Sequence, residues 1–345
     1  MSDNIILPNG LTLPIIGKKS GNTFHPWTGA KSPFSHKNYI EIIDATKNIE
    51  ESNSIALNAL NNGASSLMIQ IKSHKDLPTI LGEIRLDICP IHFKGHVDPE
   101  LISESIKSLP DSQNPSEWHG SLNFDLPKNA IARGNWFLDF PEKCIMESNL
   151  NIPKNVRTIC SHADSIYRDN SVDQVAFAIS SLIIQLDIIG WEKSDRCIIF
   201  IRSYSNYLET IAMTQAIRIL WNSILRKNKR IHSSLWICGE TSSNIEKDPP
   251  KQLIARGIEA QSLWLGGCDE IIIHPVEMSS KAKQWARDQF LILAYETGLA
   301  KERDILKGSY LLDEWSQKII LAAEIKIAKW TSNHSLIEEI QNKKL

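Results

Sequence analysis

Seven short apolar runs, each ending beside a polar or small residue and separated from the next by a stretch with helical character, constrain this chain more than any other feature. They cover residues 66–71, 85–89, 121–125, 156–160, 197–201, 234–238 and 270–274. Apolar runs bounded in this way read as strands buried on both faces, the kind found in parallel sheets. The intervening stretches carry helix signals. Ser171-Val-Asp-Gln174 has capping-box spacing and opens an apolar helix that continues to Gly190, a natural C-terminal stop. The next helix starts at about Asn206 and sets Leu208, Ile211, Ala212, Ala216, Ile219 and Leu220 on one face, with Arg226, Lys227, Lys229 and Arg230 where the helix dipole favours positive charge.

Strands alternating with helices imply right-handed crossovers and a parallel sheet. Seven strands in one run favour a closed (β/α)8 TIM barrel over a small open sheet, and an eighth strand is expected near 289–294. A helix over 39–60, stopped by Asn62-Gly63, precedes the first strand, and another over 310–330 packs on the barrel at the end. The domain reading is an extended N-terminal arm over 1–37, the barrel over 38–330, and a polar tail over 331–345. Phe24-His-Pro-Trp27 suggests that the arm docks on another surface, since exposed Phe and Trp are usually accounted for by burial.

Charge excludes one class of partner. The 38 Lys and Arg nearly balance the 40 Asp and Glu, leaving a net charge of −2, which does not make a polyanion-binding surface, so nucleic acid is not expected. The six cysteines, Cys89, Cys144, Cys160, Cys197, Cys238 and Cys268, form no C-x-x-C pair and read as reduced, buried thiols. No basic segment followed by an apolar core opens the sequence, and no uninterrupted apolar run of about 18–20 residues is evident. A cytoplasmic protein without a membrane partner is the expectation.

Polar residues at the C-terminal ends of the strands are where a barrel places its chemistry. The run ending in Ser161-His162-Ala-Asp164 stands out, and His162 is the candidate catalytic residue, as a general acid or as a hydrogen-bond donor to a carbonyl. A structural histidine is the alternative. Glu240 and His274 also follow strands and could join His162 and Asp164 around a metal, but no pair has the H-E-x-x-H spacing, and no metal is expected. Gly266-Gly267 and Gly308-Ser309 lie where barrel loops can cradle phosphate, and turn geometry explains them equally well. Neither G-x-G-x-x-G nor G-x-x-x-x-G-K-[ST] occurs, so no nucleotide fold is indicated.

Taken in order, several stretches resemble the methylmalonyl-CoA mutase family, whose substrate domain is a β/α barrel. Asn9-Gly-Leu-Thr-Leu13 and Pro26-Trp27 look like the family's opening segment, and Asn62-Gly-Ala-Ser-Ser-Leu67 like its helix-to-strand turn. Glu209-Thr-Ile-Ala212 and Arg218-Ile-Leu-Trp221 resemble the helix after the fifth strand, and Glu240-Thr-Ser242, Gln261-Ser262-Leu263 and Asp269-Glu270 follow in the expected order. The likeness spans roughly residues 5 to 330.

The departures matter as much. Active chains of that family end a strand in Tyr-His, where the tyrosine helps cobalt–carbon homolysis and the histidine hydrogen-bonds the migrating thioester. Here the pair is Ser161-His162, so the resemblance carries over the histidine alone. The run Glu259-Ala-Gln-Ser-Leu-Trp264 lacks the family's histidines, and Asp304-Ile305 replaces Asp-Pro. No Asp has His two residues on, the spacing by which the family's cobalamin domain presents a histidine to cobalt.

The pattern resembles the small subunit of a heterodimeric mutase. It implies that adenosylcobalamin is bound by a partner chain and not by this one, which has no cofactor-binding residues of its own. The partner would be a large catalytic subunit or a cobalamin-domain chain, with a homodimer when the chain is alone, and whether the barrel admits an acyl-CoA is left open. Two other readings stand beside it: the catalytic barrel of a split acyl-CoA mutase using His162, and a mutase assembly factor. Ile88, Phe124 and Ile201 are candidates to plug the barrel axis, depending on strand register.

Overall fold

The computed structural model describes residues 4–6, 11–14, 37–95, 97–123, 151–163, 170–204, 206–230, 233–243, 248–300, 306, 308–332 and 336. The fold is α/β and TIM-barrel-like, with nine parallel strand segments in the main sheet and helices between them. A short antiparallel pair, β1 (Asn4–Ile6) and β2 (Thr12–Pro14), precedes it. Contacts divide the chain into two units: residues 38–160 with 185–198, and residues 1–37 with 161–184 and 199–345.

The first of these units begins with β3 (Asn38–Asp44), followed by α1 (Ile49–Asn61), β4 (Ser66–Ile71), the short α2 (Leu77–Ile80), β5 (Ile91–Gly95), α3 (Pro99–Lys107), β6 (Gly120–Asn123) and β7 (Val156–Arg157). Its strands lie in the order β7-β6-β5-β4-β3. The register aligns Ile42, Met68, His92, Ser121 and Arg157 at one level and therefore on one face. On that face His92 is buried between the hydroxyls of Ser121 (2.7 Å) and Ser66 (3.1 Å), a structural role for a histidine. Leu67, Ile69, Phe93 and Leu122 fill the opposite face.

The second unit takes up the ends of β8 (Ile159–His162) and β9 (Cys197–Arg202), most of α4 (Ser171–Ile189), and then α5 (Tyr207–Lys227), β10 (Trp236–Glu240), α6 (Pro249–Gly266), β11 (Glu270–Ile272), α7 (Ser280–Leu291) and α8 (Tyr310–Thr331). Its strands follow the order β11-β10-β9-β8. Thr12–Pro14 lies along α8, where Leu13 is fully buried and Trp315 Nε1 donates to the Pro14 carbonyl (2.8 Å). Among the described residues α4 is long and apolar enough to cross a membrane, but 78% of its apolar window is buried in the protein, as in a core helix.

Several sequence expectations are corrected here. Residues 39–60 are not one helix. Asn38–Asp44 is a strand, and the helix starts only after Asn48, whose side chain accepts from Glu51 N–H. Ile40 and Ile43 have helical spacing and Ile40 and Ile42 strand spacing, so two periods compete over this stretch. Residues 85–89 form a turn closed by Cys89 N–H on the Arg85 carbonyl (3.1 Å), and the strand lies beyond Pro90, at Ile91–Gly95. Ile88 is thus 66% exposed and plugs nothing. Residues 289–294 are the end of α7 and a π turn, Ile292–Glu296, so the missing strand is β3, at the start of the chain. With β7 and β8 counted as one strand interrupted at Thr158, His162 ends the fifth strand and not the fourth.

The capping box at Ser171 is not made either. Asn170 caps α4 through its side chain on Asp173 N–H (3.1 Å), which frees Gln174 for other work. Gly266 and Gly267 serve packing and a turn. A Cβ at Gly266 would meet Thr214 Cβ at 2.8 Å, and Gly267 closes α6 at φ 91°. Gly308 holds φ 84° just before α8. The five described cysteines, Cys89, Cys160, Cys197, Cys238 and Cys268, are reduced thiols and buried, and burial pushes the Cys268 thiol up to about 12. Cys144, Phe24-His-Pro-Trp27, Phe124, Asp164, Asp304 and nearly all of 333–345 lie outside the described residues.

The second unit also holds a part-buried charged cluster. Arg218 of α5 reaches the Gly267 carbonyl, the Leu235 carbonyl (3.1 Å) and the Asp269 carboxylate (2.7 Å), and Asp269 also accepts from Ile237 N–H (2.8 Å). Lys37 lies in the same field. Burial lowers its ammonium from 10.5 to about 8, Arg218 adds to the shift, and Asp269 opposes it. The unfolded chain keeps this proton up to pH 10.5 while the folded chain releases it near 8, so between those values unfolding takes up a proton and stability rises with pH. The expected slope approaches about 1.4 kcal/mol per pH unit within that window. Urea titrations across it should show the rise in the wild type and its loss in Lys37→Met.

Candidate functional site

One face of the second unit carries a continuous set of side chains at the C-terminal ends of neighbouring strands. Side chains alternate along a strand, so Phe200 and Arg202 of β9 share a face. The His162 ring, from β8, lies flat against Phe200 with centroids 4.3 Å apart and planes 4° from parallel. Phe200 is fully buried and His162 is 5% exposed. On β10, Glu240 Oε2 meets Arg202 Nη2 at 3.6 Å and His274 Nε2 at 3.2 Å. A carboxylate only accepts, so the His274 nitrogen is the donor in that contact.

The backbone of each of these residues is held separately. Arg202 N–H donates to Gln174 Oε1 (3.3 Å), and Gln174 Nε2 donates to the Tyr204 hydroxyl (2.8 Å). Tyr204 N–H donates to Thr210 Oγ1 (2.9 Å). Ser203 N–H donates to the Glu240 carbonyl (2.9 Å), and His274 N–H to Thr241 Oγ1 (2.9 Å). Thr241 N–H in turn donates to the Ile272 carbonyl (2.9 Å). Burying Glu240 is tolerable because a guanidinium and an N–H donor meet its carboxylate. Removing one partner of such a buried pair typically costs about 3–5 kcal/mol.

Further polar residues surround this face. The Tyr207 hydroxyl donates to Gln261 Oε1 (3.0 Å), and burial raises the phenol above its ordinary range. Burial likewise raises the Glu209 carboxyl, with Ser171 pulling the other way. Glu259 accepts from Ser242 N–H (2.7 Å) and pairs with Arg256 (3.7 Å).

Of the residues singled out from sequence, His162, Glu240 and His274 do share this face, and Asp164 lies outside the described residues. They are not gathered as ligands. Among the described residues no three His, Cys, Asp or Glu side chains converge, and the guanidinium of Arg202 beside Glu240 disfavours a cation there. Sequence reasoning missed Phe200, Arg202, Gln174 and Tyr204. The period-2 pattern of 197–202 held a signal, since it puts Phe200 and Arg202 on one face and Ile201 on the other, but only register shows which face meets His162.

What the arrangement does chemically is neutralise charge internally. One face of the His162 imidazole is covered by Phe200, and Arg202 and His274 are engaged by Glu240. His162→Ala should therefore cost about 1–3 kcal/mol of stability in equilibrium urea unfolding, through the lost ring stack. A histidine merely presented to a ligand would change stability little.

Comparison with known proteins adds the family context. Residues 192–343 match the profile of the family described as Methylmalonyl-CoA mutase, a span that includes Phe200, Arg202, Glu240 and His274. A methylmalonyl-CoA mutase of Rhizobium meliloti (strain 1021) is 31% identical over 39% of this chain and 19% of that protein. That of Escherichia coli (strain K12) is 24% identical over 74% of this chain and 39% of that protein. A methylmalonyl-CoA mutase small subunit of Porphyromonas gingivalis (strain ATCC BAA-308 / W83) is 24% identical over 79% of this chain and 48% of that protein. The chain spans less than half the length of these relatives.

Proposed function

We propose that this chain, which is similar to methylmalonyl-CoA mutases, acts as a small-subunit-like barrel in such a mutase, supporting a large chain that isomerises methylmalonyl-CoA and succinyl-CoA. The observation that carries this reading is the state of the strand ends. Side chains that would meet a substrate in a catalytic barrel are here engaged with one another, His162 with Phe200, and Arg202 and His274 with Glu240. Catalysis needs groups that are positioned but still available to the transition state. The name of the Porphyromonas relative, a small subunit, supports the same reading.

The described residues do not fit adenosylcobalamin as a cofactor of this chain. The face that would receive chemistry is packed with its own rings and ion pairs, and no Asp in residues 1–345 has His two positions on. A corrin used by the complex would be held by residues of a partner chain, in the cytoplasm. We place residues 1–37 at the interface with that partner, with a barrel domain over 38–330 and a polar tail over 331–345. A large interface that binds only the folded partner stabilises it by mass action, which is the contribution assigned to this chain.

Native mass spectrometry of the chain alone and with a candidate large chain, coupled to methylmalonyl-CoA turnover with adenosylcobalamin, tests the proposal. The expected result is a one-to-one complex, active only with the large chain and insensitive to His162→Phe, which keeps a ring against Phe200 but removes the imidazole nitrogens. Turnover by this barrel with a separate cobalamin-domain chain, lost in His162→Phe, would overturn the proposal in favour of a split mutase. Substoichiometric, transient association would instead identify an assembly factor.

A further inference from the structure

We propose that Glu240 is a built-in ligand, a carboxylate supplied by the chain itself to an anion pocket whose donors are the Arg202 guanidinium and the His274 ring N–H. In the folded chain it keeps carboxylate-bearing molecules off this face. The inference stands apart from the subunit reading, because it concerns only which charge the face accepts.

Geometry carries it. Both donors converge on the same oxygen, Glu240 Oε2, at 3.6 and 3.2 Å. The Glu240 side chain is 3% exposed, while those of Arg202 and His274 are 15% and 19% exposed. The anion thus lies inside and its two donors partly outside, as around a bound acid. The walls do not depend on the carboxylate for their position. Arg202 is fixed through its N–H by Gln174, the Glu240 carbonyl by Ser203 N–H, and His274 through its N–H by Thr241. The Phe200–His162 stack adjoins Arg202 along the same face. Removing the carboxylate therefore vacates its volume while the backbones that carry the guanidinium and the ring N–H stay held by their own hydrogen bonds. A small carboxylate of matching shape restores the same charge-assisted contacts.

Chemical rescue of Glu240→Ala in the full chain tests this, read as the thermal midpoint in sodium formate, acetate or propionate against sodium chloride at equal ionic strength and against acetamide. Carboxylates should raise the variant's midpoint by roughly 2–4 °C at about ten times their Kd, with no carboxylate-specific rise in the wild type or in Arg202→Met/Glu240→Ala. Equal midpoints in acetate and chloride, or the same acetate effect in wild type or double variant, would refute the proposal. Should Glu240→Ala not fold, Glu240→Gln, Arg202→Gln and their combination decide. The proposal requires the combination to lose less than the sum of the single losses in midpoint, and strict additivity sinks it. No arm depends on mutase turnover, so failure here leaves the subunit reading untouched, and the reverse.

Discussion

The second unit hangs on the guanidinium of Arg218. From the middle of α5 it takes the Gly267 carbonyl, the Leu235 carbonyl and the Asp269 carboxylate, and Asp269 in turn takes the Ile237 N–H. A helix, the start of β10 and the turn into β11 are thereby tied at one point. That tie agrees with the register in which Glu240 pairs with Ile272, which puts His274 two residues beyond, at the height of the Glu240 carboxylate. A slip of one residue would turn Glu240 to the opposite face. As a part-buried ion pair, Arg218–Asp269 contributes only modest net energy. Its value is specificity, because a planar fork of donors accepts one arrangement of carbonyls and carboxylate.

Much of this architecture is written locally and some of it is not. Alternating apolar runs and capped helices specify an α/β chain, and the runs at 66–71, 156–160 and 197–201 fall on strands. Errors arose where two periods compete. In Asn38–Asp44, Ile40 and Ile43 have helical spacing while Ile40 and Ile42 have strand spacing, and the break is marked only by Asn48 with Glu51 three residues on, an N-cap signal inside an apparently continuous helix. The alternation at 85–89 imitates a strand, yet the backbone there curls into a turn before Pro90. Gln174 has the right spacing to close a capping box and is drawn away by Tyr204, thirty residues later, a tertiary contact that overrides the local motif.

The candidate site was legible to the same degree. His162, Glu240 and His274 are polar residues at strand ends, and position alone exposes them. Their partners are not legible, because partnership depends on which strands are neighbours and at what register. Phe200 sits inside an apolar run that reads as core and Arg202 directly follows it, and only pairing across β8, β9 and β10 turns them into the stacking surface for one residue and the counter-charge for another.

That distinction bears on what His162 does beside Ser161 at the end of β8. A residue kept for proton transfer or for holding a substrate must leave its polar edge and its approach available. A residue that packs need only fill its volume, and the His162 ring lies flat against a fully buried phenylalanine. The neighbouring charges point the same way. Arg202 and His274 lower the cost of burying Glu240, and Glu240 occupies the donors that an anionic substrate would need. Each of these contacts stabilises the fold, and each is made by side chains at the strand ends, where a barrel places its chemistry.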